Sequence, residues 1–230
     1  YAEPISVAYN KVAMKNPQFA AEHQGMKVIS YFTHGPGIVF NTKRPISKVE
    51  DLGGLKFRVG GGMVNDISKA LGMNVTLKPA PESFELLNSG VMDGTLFPAE
   101  STESFRIDKL IRHATTFPGG LYNTSFAFVM SQAKYDKLSA DEKKAVDAIS
   151  GEVAARIFGR GWDKVDRRAT ALMQANNVLI TKADAKFVAD VKAKTSGLEA
   201  KWIAEAEAKG LKNAKAVLAE FRAEIAKAEK

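Results

Sequence analysis

The sequence predicts an α/β protein, and three observations carry that expectation. Between Leu55 and Glu100 short apolar runs alternate with glycine turns and amphipathic segments, in the order strand, turn, helix, strand, helix, strand. Upstream, Lys27 to Thr33 and Gly37 to Thr42 read as short strands separated by His34-Gly35-Pro36-Gly37. After Ser131 the texture changes, and Val146, Ile149, Val153 and Ile157 recur at helical spacing.

Taken in order, residues around Ile5 to Gln24 read as helix, and a short helix at Ser47 to Leu52 leads into the strand Leu55 to Val59. The glycines 60–62 turn the chain into a helix over Met63 to Leu71. Val75 to Leu77 and Gly94 to Phe97 supply further strands, Glu82 to Asn88 and Glu100 to Phe105 connecting helices, and Thr124 to Met130 the most apolar strand. Ser139-Ala-Asp-Glu142 is a capping box, opening a long helix expected to pass Trp162 towards Gln174 with a bend around Gly159 and Gly161. Val178 to Ile180 is the last strand, followed by solvated amphipathic helices from Ala183 towards Lys209 and from Lys212 to the end, with no internal repeat.

At 230 residues and 45% hydrophobic, the chain can bury one large core or two smaller ones. The formal charge of +7 would suit an anionic partner, but the lysines are interleaved with glutamates along helices, which disfavours nucleic acid. The absence of cysteine excludes disulfides, thiol catalysis and cysteine-ligated zinc. No apolar run approaches the roughly 20 residues of a membrane-spanning helix. Tyr1 opens the sequence with neither an initiating methionine nor a signal peptide, so processing or truncation is expected to have removed what came first.

Arg58 is the leading site residue. It sits inside an apolar strand before three glycines, where an inward guanidinium costs several kcal/mol unless a ligand anion or a structural acid meets it. Strand alternation could instead turn it outward with Lys56. Gly61, in the glycine turn, permits close backbone approach ahead of a helix whose free N–H groups favour an anion; a plain tight turn needs the same residues. His34 lies in a strand-end loop where ligand groups gather in open α/β sheets, or is an exposed loop histidine. Phe97 ends a strand and either fills the core or stacks on a ligand. Tyr122 and Asn123 offer a hydroxyl and an amide from the loop Pro118 to Asn123, or simply pack it. Catalytic machinery is not visible: the three histidines lack metal-ligand spacing, and no nucleophile elbow, dinucleotide fingerprint or Walker lysine occurs, so no cofactor and no metal are expected.

The run DLGGLKFRVGGG, the step Leu71-Gly72, the block PAPESFELLNSGVMDG and KYDKLSADEKKAVDAIS together resemble the periplasmic solute-binding proteins of tripartite ATP-independent periplasmic (TRAP) transporters, of the C4-dicarboxylate-binding type. The likeness covers nearly the whole chain. It implies a two-domain clamshell with a long spanning helix, in which the arginine of the strand before the turn, here Arg58, pairs with the carboxylate of an organic acid and the cleft closes on it. It also implies a periplasmic receptor that delivers its ligand to a membrane permease. In those terms residues 1–33 are the remainder of the first domain, 34–124 the ligand-binding α/β domain, and 125–230 the spanning helix and C-terminal helices completing the first domain. Relatives carry a polar residue where this chain has Phe97, and a second arginine without counterpart in His34 to Ile38, which leans the ligand towards a less polar monocarboxylate. The chain begins after the family's N-terminal βαβ portion, so it is expected to be incomplete there, exposing sheet edges and apolar surface and favouring self-association. The alternatives are an α/β enzyme acting on an anionic substrate, with His34 as acid or base, and a non-catalytic interaction module.

Overall fold

A computed structural model describes residues 1–228. In chain order its elements are α1 (Ala2–Lys15), α2 (Pro17–Ala21), β1 (Met26–Thr33), β2 (Ile38–Asn41), β3 (Lys56–Val59), α3 (Met63–Ala70), β4 (Asn74–Leu77), α4 (Ser83–Asn88) and β5 (Gly94–Phe97). There follow α5 (Ser101–Ser104), β6 (His113–Thr116), β7 (Ser125–Ser131), α6 (Gln132–Asp136), α7 (Ala140–Ala148) and α8 (Glu152–Ala175). The chain continues through β8 (Leu179–Lys182), α9 (Ala185–Thr195), α10 (Gly197–Ala208) and α11 (Ala214–Ala228), with 3-10 turns at Val49–Leu52 and Ala80–Glu82. The last two residues of the C-terminal helix expected from the sequence lie outside the described residues.

Two compact units form. The first comprises Tyr1–His34, Thr124–Asp163 and the chain from Ala200 onward; the second comprises Gly35–Asn123 and Lys164–Glu199. The division differs from the one read in the sequence at 164–199, which belongs with the second unit because β8 pairs in parallel with β6 there. His34 likewise falls in the first unit.

In the first unit β1 and β7 form an antiparallel pair, with a register shift between Val28 and Ser30. Helix α1 presents Ser6 and Asn10, four residues apart and so on one face, to the irregular backbone. Thr33 N–H donates to Ser6 Oγ at 3.0 Å, and Tyr31 N–H and Ser30 Oγ–H both donate to Asn10 Oδ1 at 3.1 Å. The first turn of α1 is capped by α8, Ala2 and Glu3 N–H donating to the Asp163 carboxylate at 2.6 and 3.1 Å. Gly159 permits this approach, since a Cβ there would lie 2.4 Å from Glu3 Cα. Val12, Leu211, Ala214 and Val217 form the apolar seam between α1 and the C-terminal helix.

The second unit is built on a six-stranded sheet in the order β4-β3-β5-β2-β6-β8. Here β3 runs parallel to β4 and β5, β2 antiparallel to β5 and β6, and β6 parallel to β8. Apolar clusters pack both faces: one around Val39, Leu52, Phe57, Val59, Leu71 and Phe187, the other around Phe40, Leu87, Ile107, Ile111 and Met173.

Several sequence expectations are corrected. The first helix breaks at Asn16, whose extended backbone precedes Pro17 at the start of α2. The long helix begins only at Glu152, because Gly151, at φ 64°, ends the α7 turn and donates its N–H to Ile29 O at 2.7 Å. Beyond it α8 is a single helix through Gly159 and Gly161 to Ala175. Strand β6, His113–Thr116, has no apolar alternation long enough to be foreseen.

Candidate functional site

Strand β3 puts Arg58 at the centre of the site. Between β4 and β5, with both faces of the sheet covered, the alternation that could turn Arg58 outward fails: Lys56 is exposed, whereas Phe57, Arg58 and Val59 are all buried, Arg58 at 4% exposure. Its Nε–H donates to the Lys78 carbonyl at 2.8 Å, and its Cζ lies 4.6 Å from the centroid of the Phe97 ring. Among the described residues no carboxylate stands within ion-pair distance of it; Glu82 pairs instead with Lys78 Nζ at 3.3 Å. Burial pulls the Arg58 pKa down, while Tyr122 and Glu82 oppose that pull electrostatically. A guanidinium stays charged under such a shift, so a desolvated cation with unused N–H donors results.

Tyr122 and Asn123 come to this neighbourhood by a loop closure that needs glycine. Gly37 N–H donates to Tyr122 O and Leu121 N–H to Gly37 O, both at 2.9 Å. A Cβ on Gly37 would meet the Tyr122 ring at 2.3 Å, and one on Gly120, at φ 93°, would meet Pro36 Cα at 2.8 Å. Asn123 Nδ2–H donates to Gly35 O at 3.2 Å. Burial pushes the Tyr122 hydroxyl well above its usual pKa, with Arg58 acting against the rise, so it is a neutral donor at physiological pH.

Two contributors were not read in the sequence. Lys78 acts through its carbonyl, which carries no side-chain signature. Asp166, on α8, accepts the Glu100 N–H at 2.8 Å and lies where a Cβ on Gly35 would come within 1.8 Å of its carboxylate, so Gly35 is required for its seat beside two strand ends. Only the fold brings it there, from far along the chain.

The remaining candidates are Gly61 and His34. Gly61 is exposed on the turn before α3, which starts at Met63 with Gly62 as its N-cap at φ 72°. His34 is not an exposed loop histidine: it is 4% exposed in the first unit, its N–H donating to Thr124 O at 3.2 Å and its ring 6.1 Å from Phe126 and 6.0 Å from Trp162. It belongs to an aromatic assembly in which Phe32 stacks on Phe126 and Phe158 at 5.2 and 4.2 Å. Glu100 accepts hydrogen bonds from Ser101 Oγ and Ser104 Oγ, a local helix-end role.

A buried arginine in an α/β sheet, with no carboxylate at ion-pair distance among the described residues, has the geometry of an anion-binding site. Residues 9–206 match the model of the bacterial extracellular solute-binding protein family 7, DctP, and the chain belongs to that family. It is similar, at 42% identity and a TM-score of 0.92 over 98% of its length and 71% of the other chain, to the crystal structure of a TRAP periplasmic solute-binding protein from Bordetella bronchiseptica with bound (R)- and (S)-mandelate. A marine metagenome TRAP solute-binding protein specific for aromatic acid ligands, in complex with metahydroxyphenylacetate, is 31% identical with a TM-score of 0.92, over all of this chain and 72% of that one. Among curated relatives, the outer membrane transporter protein TsaT of Comamonas testosteroni is 24% identical over 226 residues, 98% of this chain and 66% of the relative. The chain thus spans two thirds or less of the curated relatives it matches, down to 39% of a solute-binding protein from Albidiferax ferrireducens. Family membership sets aside the enzyme alternative.

Proposed function

We propose that this chain is the solute receptor of a TRAP transporter and captures a small organic acid, with Arg58 as the carboxylate anchor. The observation that carries the reading is the guanidinium of Arg58: 4% exposed, bound through Nε to Lys78 O, and without a carboxylate partner among the described residues. A bidentate carboxylate would supply the counter-charge and use the vacant donors. Phe97, where a polar side chain would favour a second acid group, and the neutral Tyr122 hydroxyl support a monocarboxylate with an apolar or aromatic body. The mandelate and hydroxyphenylacetate found in similar proteins fit that chemistry.

Delivery to a membrane permease and a periplasmic location belong to the same reading, supported by the family's extracellular description. In functional terms the ligand-binding part that carries the anchor is 35–123 together with 164–199, and 1–34 with 124–163 and the chain from 200 onward forms the other part. Self-association is proposed on the exposure of Phe126, Phe128 and Ile157, at 39%, 48% and 61% in the first unit. A light-scattering molar mass of a monomer would remove that element alone.

Calorimetric titration with mandelate, aromatic acids and C4-dicarboxylates tests the proposal. Saturable binding of a monocarboxylate that Arg58→Ala abolishes is the expected result; equal affinity in that variant would take Arg58 out of the site.

A further inference from the structure

Phe97 ends β5, is 7% exposed and has two partners against its ring. The Arg58 Cζ stands over it at 4.6 Å from the centroid. Phe105 stacks on it at 5.1 Å, with 25° between the ring planes. The ring is thus engaged by a cation and by a second aromatic ring, and little of it is open to solvent. A ring so covered offers little surface to a ligand.

We infer that Phe97 is a positioning residue for Arg58 and does not itself stack on the bound solute. The negative π face offsets part of the desolvation of a guanidinium that has no carboxylate partner among the described residues, and it does so before any ligand arrives. Lys78 O holds the Nε edge at 2.8 Å while the ring packs against the guanidinium carbon at 4.6 Å. With the Nε edge bonded and the ring against the guanidinium carbon, the Nη end is presented to a carboxylate with little rotamer freedom left to lose on binding. Phe105, backing the ring, extends the support into the apolar cluster that also contains Ile107 and Ile111. The role in binding rests on the carboxylate reading above; the ring–cation contact does not.

Mono-, di- and trifluorinated phenylalanine introduced at position 97 weaken the ring's quadrupole stepwise while nearly keeping its shape. In the ligand-free chain the unfolding midpoint should fall stepwise, by roughly 2–4 °C in all, and the same series in an Arg58→Met background should be flat. Mandelate affinity measured by calorimetry should weaken in parallel, reaching roughly tenfold for Phe97→Leu. Identical unfolding series in both backgrounds would show the ring to be core filling and overturn the inference, as would a mandelate affinity that fluorination leaves unmoved. Mandelate that fails to bind the native chain, or binds Arg58→Met equally well, overturns the carboxylate reading instead, and the unfolding series alone then decides the positioning of Arg58.

Discussion

Arg58 lies in β3 with its Nε–H committed to Lys78 O and no counter-carboxylate among the described residues, so the free chain bears a desolvation cost that the Phe97 ring offsets only in part and a bound anion would return. Stability and binding therefore oppose each other at this position. Arg58→Met, which keeps length and apolar bulk, is expected to unfold at equal or higher urea concentration than the native chain while losing carboxylate affinity. Gly94 is the contrary case, a residue whose whole contribution is the absence of a side chain. A Cβ there would lie 2.3 Å from Phe40 O and 2.5 Å from the Phe57 ring, in the middle of the sheet that carries Arg58. Gly94→Ala should cost about 1–3 kcal/mol in urea unfolding through overpacking, with the m-value unchanged.

Elements in the first unit are tied by buried polar groups as much as by apolar contact. Asn10 is 3% exposed in the middle of α1, where its amide oxygen receives two donors from the bulged stretch of β1. Asn10→Ala leaves the Tyr31 N–H without its acceptor and should destabilise the chain by about 1–3 kcal/mol, read from its denaturation midpoint. Helix α1 also meets α11 through Lys11 and Lys15, paired with Glu224 and Glu220 at 2.6 and 2.7 Å. Lys11 and Lys227 hold the Glu224 carboxyl down to about 2, below its ordinary value of 4.5. Because the folded pKa is depressed, its contribution is present above pH 4.5 and is lost as pH falls towards 2. Unfolding midpoints of Glu224→Gln should accordingly vary less across that window than those of the native chain.

For the whole molecule, capture of a solute by the folded form alone is a linkage effect. An organic acid at about a hundred times its Kd adds roughly 2.7 kcal/mol, which for a chain of this size raises the midpoint by roughly 5–10 °C in a thermal-shift measurement. The rise should follow the acid's chemical group and vanish in Arg58→Ala. A flat response across aromatic, aliphatic, keto and dicarboxylic acids would show that this chain does not capture carboxylates.

Most strands were legible because their information is local. Gly94–Phe97 was readable to the residue, and the strand holding Arg58 was marked by apolar neighbours and the glycine turn after it. Family membership was legible in the order of blocks from Asp51 to Ser150. Helix ends were less so, since Val146 to Ile157 keeps its apolar period across the break that Gly151 imposes through its bond to Ile29 O. The sequence by itself determined the α/β class, the strand that carries the arginine and the glycines that let loops close on it. Tertiary structure alone decided that Arg58 points inward with no acid among the described residues to meet it, that Phe97 packs against it, and that Lys78 O and Asp166 stand where they do. Alternation, propensity and turn chemistry act within a few residues, whereas burial, counter-charge and ring stacking depend on which distant segments the sheet brings side by side.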